Sequence, residues 1–438
     1  MGMKILVISV GGSCAPLITS ILQNRPDKVF FVCSDDTKNG SKGSYDAVIG
    51  RGLVCGKDWS NPDQPNIVSQ TNLSEDQYVI IKLKYIDDHN FCYSKSLDLL
   101  KDLRRSYPNA EIIVDYTGGT KSMTVGLVMA AADIPDITIA IVKGERSNLL
   151  KVDDGTQRVK LSRTNYSLLT KQKQIAESFT RTFDYASAVD IINSAFSSFA
   201  DIPREIEDEF QKIHVTCQAF DKWDKFQHGE AKRILERDRK SNWKLVEVLN
   251  QIIECKKFLI EDIPLKNATG YEVVKDLILN AERRALQNKY DDAVARLYRA
   301  LELIGQVYLK SRHQINTEKV ELSKLPEKVS SALFPDSKEK EESLPLFKAF
   351  NLIEKLDEIN EGEFGPLFTK NKKRIMNSLQ VRNKSILAHG FRRVSESDYK
   401  KVYESFVDSF ISPLLTILSE NKKKKVDQEQ FPRESLLE

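Results

Sequence analysis

Five short runs dense in β-branched and aliphatic residues, Met3–Val10, Lys28–Cys33, Tyr78–Leu83, Glu111–Tyr116 and Ile137–Val142, set the first part of this chain apart from the remainder. Runs of this length suit strands buried on both faces of a parallel sheet. Between them, Leu17–Leu22, Ser94–Arg105 and Thr120–Ala132 read as helices. Leu149–Val152 and Arg158–Leu161 read as a closing hairpin turned through Asp153-Asp154-Gly155. The alternation specifies a Rossmann-like α/β domain ending near residue 165.

The strand signal then stops. Helices are expected at Lys171–Phe183, Ile206–Phe220 and Trp243–Ile260, followed by a helix pair at Val273–Asn288 and Tyr290–Leu309. The polar stretch Ser337–Glu342 reads as an exposed loop or helix tip, Asp398–Leu418 as a late helix, and the segment from Asn421, with Lys422–Lys425 in a row, as disordered. A length of 438 residues accommodates two or three domains, each with a core of its own.

Composition narrows the class. With 41% hydrophobic and 29% charged residues the chain reads as soluble and globular, and its longest apolar stretch, Val125–Val142, is broken by Asp133, Pro135 and Asp136, so no membrane span is expected. Met1-Gly2-Met3-Lys4 leads directly into the first strand without a cleavage pattern, which places the chain in the cytoplasm. Cys14, Cys33, Cys55, Cys92, Cys217 and Cys255 are scattered, with no C-x-x-C pair and no His at zinc-ligand spacing; the expectation is buried, reduced thiols and no metal.

Two glycine turns carry anion-binding chemistry. The fourth strand runs through Asp115-Tyr116-Thr117-Gly118-Gly119-Thr120-Lys121-Ser122-Met123 into a helix. Glycines let backbone approach a phosphate, a helix start offers free N–H groups, and Thr117, Thr120 and Lys121 add hydroxyl and ammonium donors. No Gly immediately precedes the Lys, so this is not the loop of a Walker-type ATPase. The first strand ends in a second such turn, Gly11-Gly12-Ser13, and both turns are expected at the carboxyl edge of the sheet, where open α/β sheets bind ligands.

A third feature lies near the end. Ile375, Leu379, Arg382, Ile386 and His389 fall on one arc of a continuous helix, which would point Arg382 and His389 the same way two turns apart, with Gly390 as the C′ residue. Around them, Lys370, Lys372, Lys373, Arg374, Arg382, Lys384, Arg392 and Arg393 occur with no Asp or Glu between residues 370 and 393. In a chain balanced at 66 Lys+Arg against 63 Asp+Glu, this segment points to a polyanionic partner.

With these motifs in hand, the chain resembles the CRISPR-associated CARF-HEPN ribonucleases, accessory effectors of type III systems. Asp115–Met123 looks like the D-x-T-G-G-T-K-x-M signature of the CARF domain. Arg382 and His389 match the HEPN pattern R-x(4-6)-H at its longest spacing, with Asn383 as the polar residue after the Arg. The helical stretch from Glu282-Arg283-Arg284-Ala285 through Tyr290 to Glu302 looks like an opening helix of the HEPN bundle, from which Glu302 could position Arg382.

The resemblance implies an N-terminal Rossmann-like CARF domain at 1–165, a helical connecting region at 166–270, an all-α HEPN bundle at 271–420 and a charged tail at 421–438. It implies a homodimer activated by cyclic oligoadenylate bound at Gly11, Gly12, Ser13, Thr117, Gly118, Gly119, Thr120 and Lys121. Catalysis would fall to Arg382, His389 and Asn383, cutting single-stranded RNA by metal-independent attack of the 2′-hydroxyl on the adjacent phosphate. His389 at a helix C-terminus would favour its charged form. The ring size of the activator and the RNA base preference stay open. So do a noncatalytic ligand-sensing regulator that only grips RNA, and a HEPN toxin held inactive by a partner.

Overall fold

The computed structural model describes residues 2–50, 66–145, 156–199, 202–335, 339–422 and 424–433. They divide into two compact units, Met1–Ile175 with Ile191–Phe210, and Ala176–Asp190 with Gln211–Glu438. The helices expected to form a connecting region are thus shared between the two units. No described helix is long and apolar enough to cross a membrane.

The first unit is built on a six-stranded sheet: β1 (Lys4–Ser9), β2 (Lys28–Ser34), β3 (Tyr78–Leu83), β4 (Glu111–Asp115), β5 (Ile137–Lys143) and β6 (Arg158–Arg163), in the spatial order β3-β2-β1-β4-β5-β6. Five strands are parallel, and β6 runs antiparallel to β5. In β1, Ile5 and Val7 enter one core while Leu6 and Ile8 enter the other, the two-residue period of a strand covered on both faces. Helix α1 (Ala15–Asn24) packs through Leu17 and Ile21 into one core, and α2 (His89–Ser106) and α3 (Lys121–Ala132) through Leu100 and Leu127 into the other. The five strand expectations and the three helices are met. Of the expected hairpin, Asp153-Asp154-Gly155 and Leu149–Val152 lie outside the described residues, while β6 forms as an exposed edge strand.

Helices continue with α4 (Asn165–Arg181), α5 (Tyr185–Ser198), α6 (Arg204–Asp224), α7 (His228–Leu235) and α8 (Trp243–Glu261). The second unit is then completed by α9 (Glu272–Leu286), α10 (Tyr290–His313), α11 (Leu346–Asn360), α12 (Phe364–Asn383), α13 (Glu396–Tyr403), a π-helical stretch Glu404–Ile411, and α14 (Ser412–Lys422). Their apolar faces merge into one core with a centre of Phe350, Phe364, Phe368 and Phe410, ring centroids 4.9–6.4 Å apart. Asp357 ties this core together: its carboxylate accepts from Tyr308 Oη at 3.0 Å and from the Gly365 N–H at 2.7 Å. Glu341–Glu342, expected in a loop or helix tip, instead forms a two-residue strand against Val320–Glu321.

Residues 424–433 are ordered against this unit, contrary to the disordered tail expected from the lysine run. Phe431 is 4% exposed, stacked on Phe220 at 4.4 Å and edge-on to Trp223 at 5.0 Å. The guanidinium of buried Arg283 lies 4.0 Å over the same ring and donates to Gln430 Oε1 at 2.7 Å. The four lysines set the composition of the segment, but one aromatic with a slot to fill fixes its path.

Four cysteines, Cys33, Cys92, Cys217 and Cys255, are buried free thiols as expected. Cys14 is disulfide-bonded, which corrects the expectation of reduced thiols throughout; spacing in sequence does not reveal which cysteines meet in space.

Candidate functional site

β1 and β4 are neighbours, with Ile8 paired to Asp115, so the turns that leave them emerge side by side where the strand order reverses. The turns touch. A Cβ on Gly11 would lie 2.6 Å from the Gly119 nitrogen, and one on Gly118 would lie 2.6 Å from the Ser9 carbonyl oxygen. Gly119 adopts φ +94°, a conformation that side chains resist. Ser9 Oγ donates to the Gly118 carbonyl at 2.5 Å, and beneath the turn buried Asp115 accepts from Ser20 Oγ at 2.5 Å and from the Thr117 N–H at 2.8 Å. Burial pushes the Asp115 carboxyl up, against the opposing pull of the Ser20 and Thr117 hydrogen bonds.

Two hydroxyls expected to face a phosphate are engaged within the fold. Thr117 Oγ1 accepts the Val142 N–H at 2.8 Å. Thr120 caps α3 by accepting from the Met123 N–H at 3.3 Å and donates to the Ile86 carbonyl at 2.6 Å. Both therefore shape the loop. Gly12, Ser13 and Lys121 are the exposed members of the set, with Lys121 at the first position of α3, where the helix end favours an anion.

In the second unit, α12 ends at Asn383, and this corrects the reading of Arg382 and His389 as partners on one helical stripe. Residues 384–390 form a turn. The Ser385 N–H donates to the Arg382 carbonyl, Arg392 N–H to the Lys384 carbonyl at 3.0 Å, and Ile386 N–H to the Arg392 carbonyl at 3.1 Å. This pairing claims the backbone groups a continuing helix would need. Ile375 and Leu379 are buried as the periodicity required, but Ile386 and Leu387 are more than half exposed and His389 lies in solvent reach. Gly390 is no helix cap: its N–H donates to Ser385, and a Cβ there would fall 2.1 Å from the Lys384 carbonyl oxygen.

Arg382 occupies the last turn of α12, where a cation suits the helix dipole, and donates to Asn383 Oδ1 at 3.2 Å. Three of the surrounding cations are neutralised by acids from other elements, Lys372 by Glu354, Arg374 by Glu404 and Arg392 by Asp398. Among the described residues no ion pair joins Lys370, Lys373, Arg382, Lys384 or Arg393 to an acid. A cavity of about 130 Å³ lies beside the turn, walled by Gln380, Lys384, Arg392 and Arg393; cavities of about 570 and 720 Å³ elsewhere in the unit include neither Arg382 nor His389.

Residues 265–430 match the family described as the Csm6 HEPN domain. The likeness is confined to this part of the chain. The HEPN domain takes in α9 to α14 and reaches the buried C-terminal segment. Among solved structures, the chain is similar to Enterococcus italicus Csm6 bound to cyclic hexa-2′-fluoro-hexa-dAMP, at 14% identity with 96% of this chain and 95% of that chain covered and a TM-score of 0.60. Can2 from Sulfobacillus thermosulfidooxidans, in complex with cyclic tetra-adenylate, aligns over 72% of this chain and 70% of that chain at 12% identity, with a TM-score of 0.22. No curated protein matches in sequence. The six-stranded α/β domain followed by helices and a C-terminal helical bundle is the fold that the motifs indicated, and it is shared with that Csm6 structure.

Within the HEPN domain, Tyr298 is a neighbour of Arg382 that sequence reasoning missed. The Arg382 Cζ sits 4.2 Å from the Tyr298 ring centroid. Burial, followed by the hydrogen bond to Glu302, pushes the phenol up to about 12. Glu302, expected to position Arg382, therefore reaches it through this ring. The usable signal was Tyr298 and Glu302 at i, i+4 on a helix already recognised. Asp291 on the same helix accepts the Val394 N–H with both carboxylate oxygens at 3.1 Å, which anchors the chain just after the turn.

Proposed function

We propose that the chain is a cyclic-oligoadenylate-activated endoribonuclease of type III CRISPR defence, acting in the cytoplasm as a homodimer on single-stranded RNA. The observation that carries the reading is the HEPN family match over 265–430 together with an Arg382-x6-His389 motif whose guanidinium is held on Tyr298. Arg382 would bind the scissile phosphate with a planar donor fork and stabilise charge that builds on its nonbridging oxygens. Asn383, bonded to Arg382, would help orient that fork. The RNA 2′-hydroxyl attacks the phosphorus as the bond to the 5′-oxygen breaks, which leaves a 2′,3′-cyclic phosphate and a 5′-hydroxyl. The proton lost by the nucleophile and the one gained by the leaving oxygen balance, and His389, exposed on a turn, would carry one of these transfers. This chemistry needs no metal.

The activator would sit on the paired turns, with Gly11, Gly12, Ser13, Gly118 and Gly119 offering backbone and Lys121 a cation, while Thr117 and Thr120 hold the loop. Support for a cyclic oligonucleotide comes from the fold shared with a Csm6 solved around one. The test is cleavage of a labelled single-stranded RNA in EDTA, with and without cyclic tetra- or hexa-adenylate, by the native chain, Arg382→Ala and His389→Ala. Activator-dependent cleavage lost in both variants supports the reading. RNA binding without cleavage would favour the noncatalytic sensor, and cleavage sustained in both variants would remove these residues from the mechanism.

A further inference from the structure

The turn that presents His389 also presents Phe391, whose side chain is 94% exposed. It is not displayed on a loose segment. Backbone hydrogen bonds clamp the turn on both sides of it, from Ile386 to Arg392 and from Arg392 to Lys384; Ser385 is buried at the base, and Asp291 holds Val394 three residues on. A large aromatic fixed in water by a rigid turn gains nothing from the fold that holds it, so its use lies with a partner. Lys384, Arg392 and Arg393 belong to the same turn and line one small cavity beside it, and Arg382 precedes the turn; among the described residues Arg392 alone of these four is paired to an acid, Asp398. An aromatic on a turn that also carries cations fits a polyanion with flat apolar groups, as single-stranded nucleic acid presents, and Ile386 and Leu387, exposed on the same turn, extend its apolar surface.

We propose that Phe391 is a stacking platform for an RNA base next to the cleaved phosphate. The inference rests on the ribonuclease reading and adds a substrate contact to it. Cations on the turn hold the backbone, the ring takes the base face, and His389 two residues earlier is set at the intervening phosphate. Single-stranded RNA offers splayed bases to such a ring, whereas a duplex hides them in the stack.

The experiment uses the full chain with cyclic tetra- and hexa-adenylate present and a 2′-O-methyl RNA oligonucleotide carrying 2-aminopurine, which binds but lacks the attacking hydroxyl. Phe391→Leu keeps an apolar side chain and Phe391→Trp keeps an aromatic one. Because the residue is exposed, both variants keep the fold, as circular dichroism would register. Stacking predicts that the native chain and Phe391→Trp quench 2-aminopurine fluorescence, while Phe391→Leu loses the quench and binds on the order of tenfold more weakly. Equal quench and affinity in Phe391→Leu, from a chain that does cleave unmodified RNA, overturns the stacking role alone. If Phe391→Asp then converts a dimer to monomers in sedimentation, the ring belongs to an interface between two copies. A native chain that neither binds nor cuts RNA overturns both this inference and the ribonuclease reading.

Discussion

Arg382 lies over Tyr298, its guanidinium carbon 4.2 Å from the ring centroid, and Tyr298 stands one helical turn before Glu302, which raises its phenol pKa after burial does. The ring denies the guanidinium some of its freedom without taking its hydrogen bonds, so the donor fork stays available to a phosphate. Removing the ring should therefore impair the chemical step more than RNA binding. Tyr298→Leu is expected to lower kcat about tenfold with KM little changed, and Tyr298→Phe to keep most of the activity. A rise in KM alone would place Tyr298 outside this role.

His389 makes no structural contribution of note, since its side chain stands exposed on the turn. His389→Ala should leave the melting temperature unchanged and reduce cleavage on the order of 10²-fold or more, the usual scale for a lost acid-base group. Single-turnover rates alongside thermal denaturation separate the two effects.

The paired turns of the CARF domain allow a similar separation. Gly118→Ala would force a Cβ to within 2.6 Å of the Ser9 carbonyl oxygen, and is expected to cost about 1–3 kcal/mol of stability as well as activator affinity. Exposed Lys121 carries no such burden. Lys121→Ala should raise the activator concentration for half-maximal cleavage while leaving the saturated rate and the melting temperature in place. Titration with cyclic tetra- and hexa-adenylate checks both.

Asp115 predicts a pH dependence. Burial raises its folded carboxyl above the ordinary 3.8, so the folded chain binds the proton more tightly than the unfolded one. Its contribution is most favourable below 3.8 and declines as pH rises through the raised folded value, then stays flat. Asp115→Asn carries no charge and keeps an oxygen for the Thr117 N–H, while its amide nitrogen would stand where Oδ2 meets Ser20 Oγ, a hydroxyl that can accept instead of donate. It should gain stability relative to the native chain near neutral pH, and the gain should shrink as the solution is acidified towards 3.8. Denaturant melts at several pH values read the slope; a gain that grows on acidification contradicts the sign.

Phe431 closes an aromatic slot against Phe220, Trp223 and Arg283. Phe431→Ala is expected to destabilise the HEPN unit by about 3–5 kcal/mol, because it opens a cavity and uncovers a buried guanidinium. Differential scanning calorimetry would show the loss.

The sheet was legible because strands such as Ile5–Ile8 and Ile112–Val114 are apolar at every position, and no other structure buries both faces of so short a run. The two glycine turns were legible for a related reason, since a strand, a glycine pair and a helix start leave the backbone few courses. The end of α12 was not. Helical periodicity through Ile386 assumes that apolar residues seek the core, whereas Ile386 and Leu387 are displayed, and the helix yields to a pairing between Ser385 and Arg392 that no periodicity encodes. Thr117 and Thr120 show a second limit: residue type identifies a donor, but only the fold decides whether Val142 and Ile86 have already engaged it.

The position of Phe431 bears on how the second unit folds. Its partners Phe220 and Trp223 stand near the opposite end of that unit's chain, so the contact closes a long loop and is entropically a late one. Until it forms, Arg283 lacks its cover. A chain cut short before residue 431 would carry the complete Arg382 and His389 motif on an unfinished scaffold, so whatever that motif does would depend on synthesis having reached the aromatic that closes the slot.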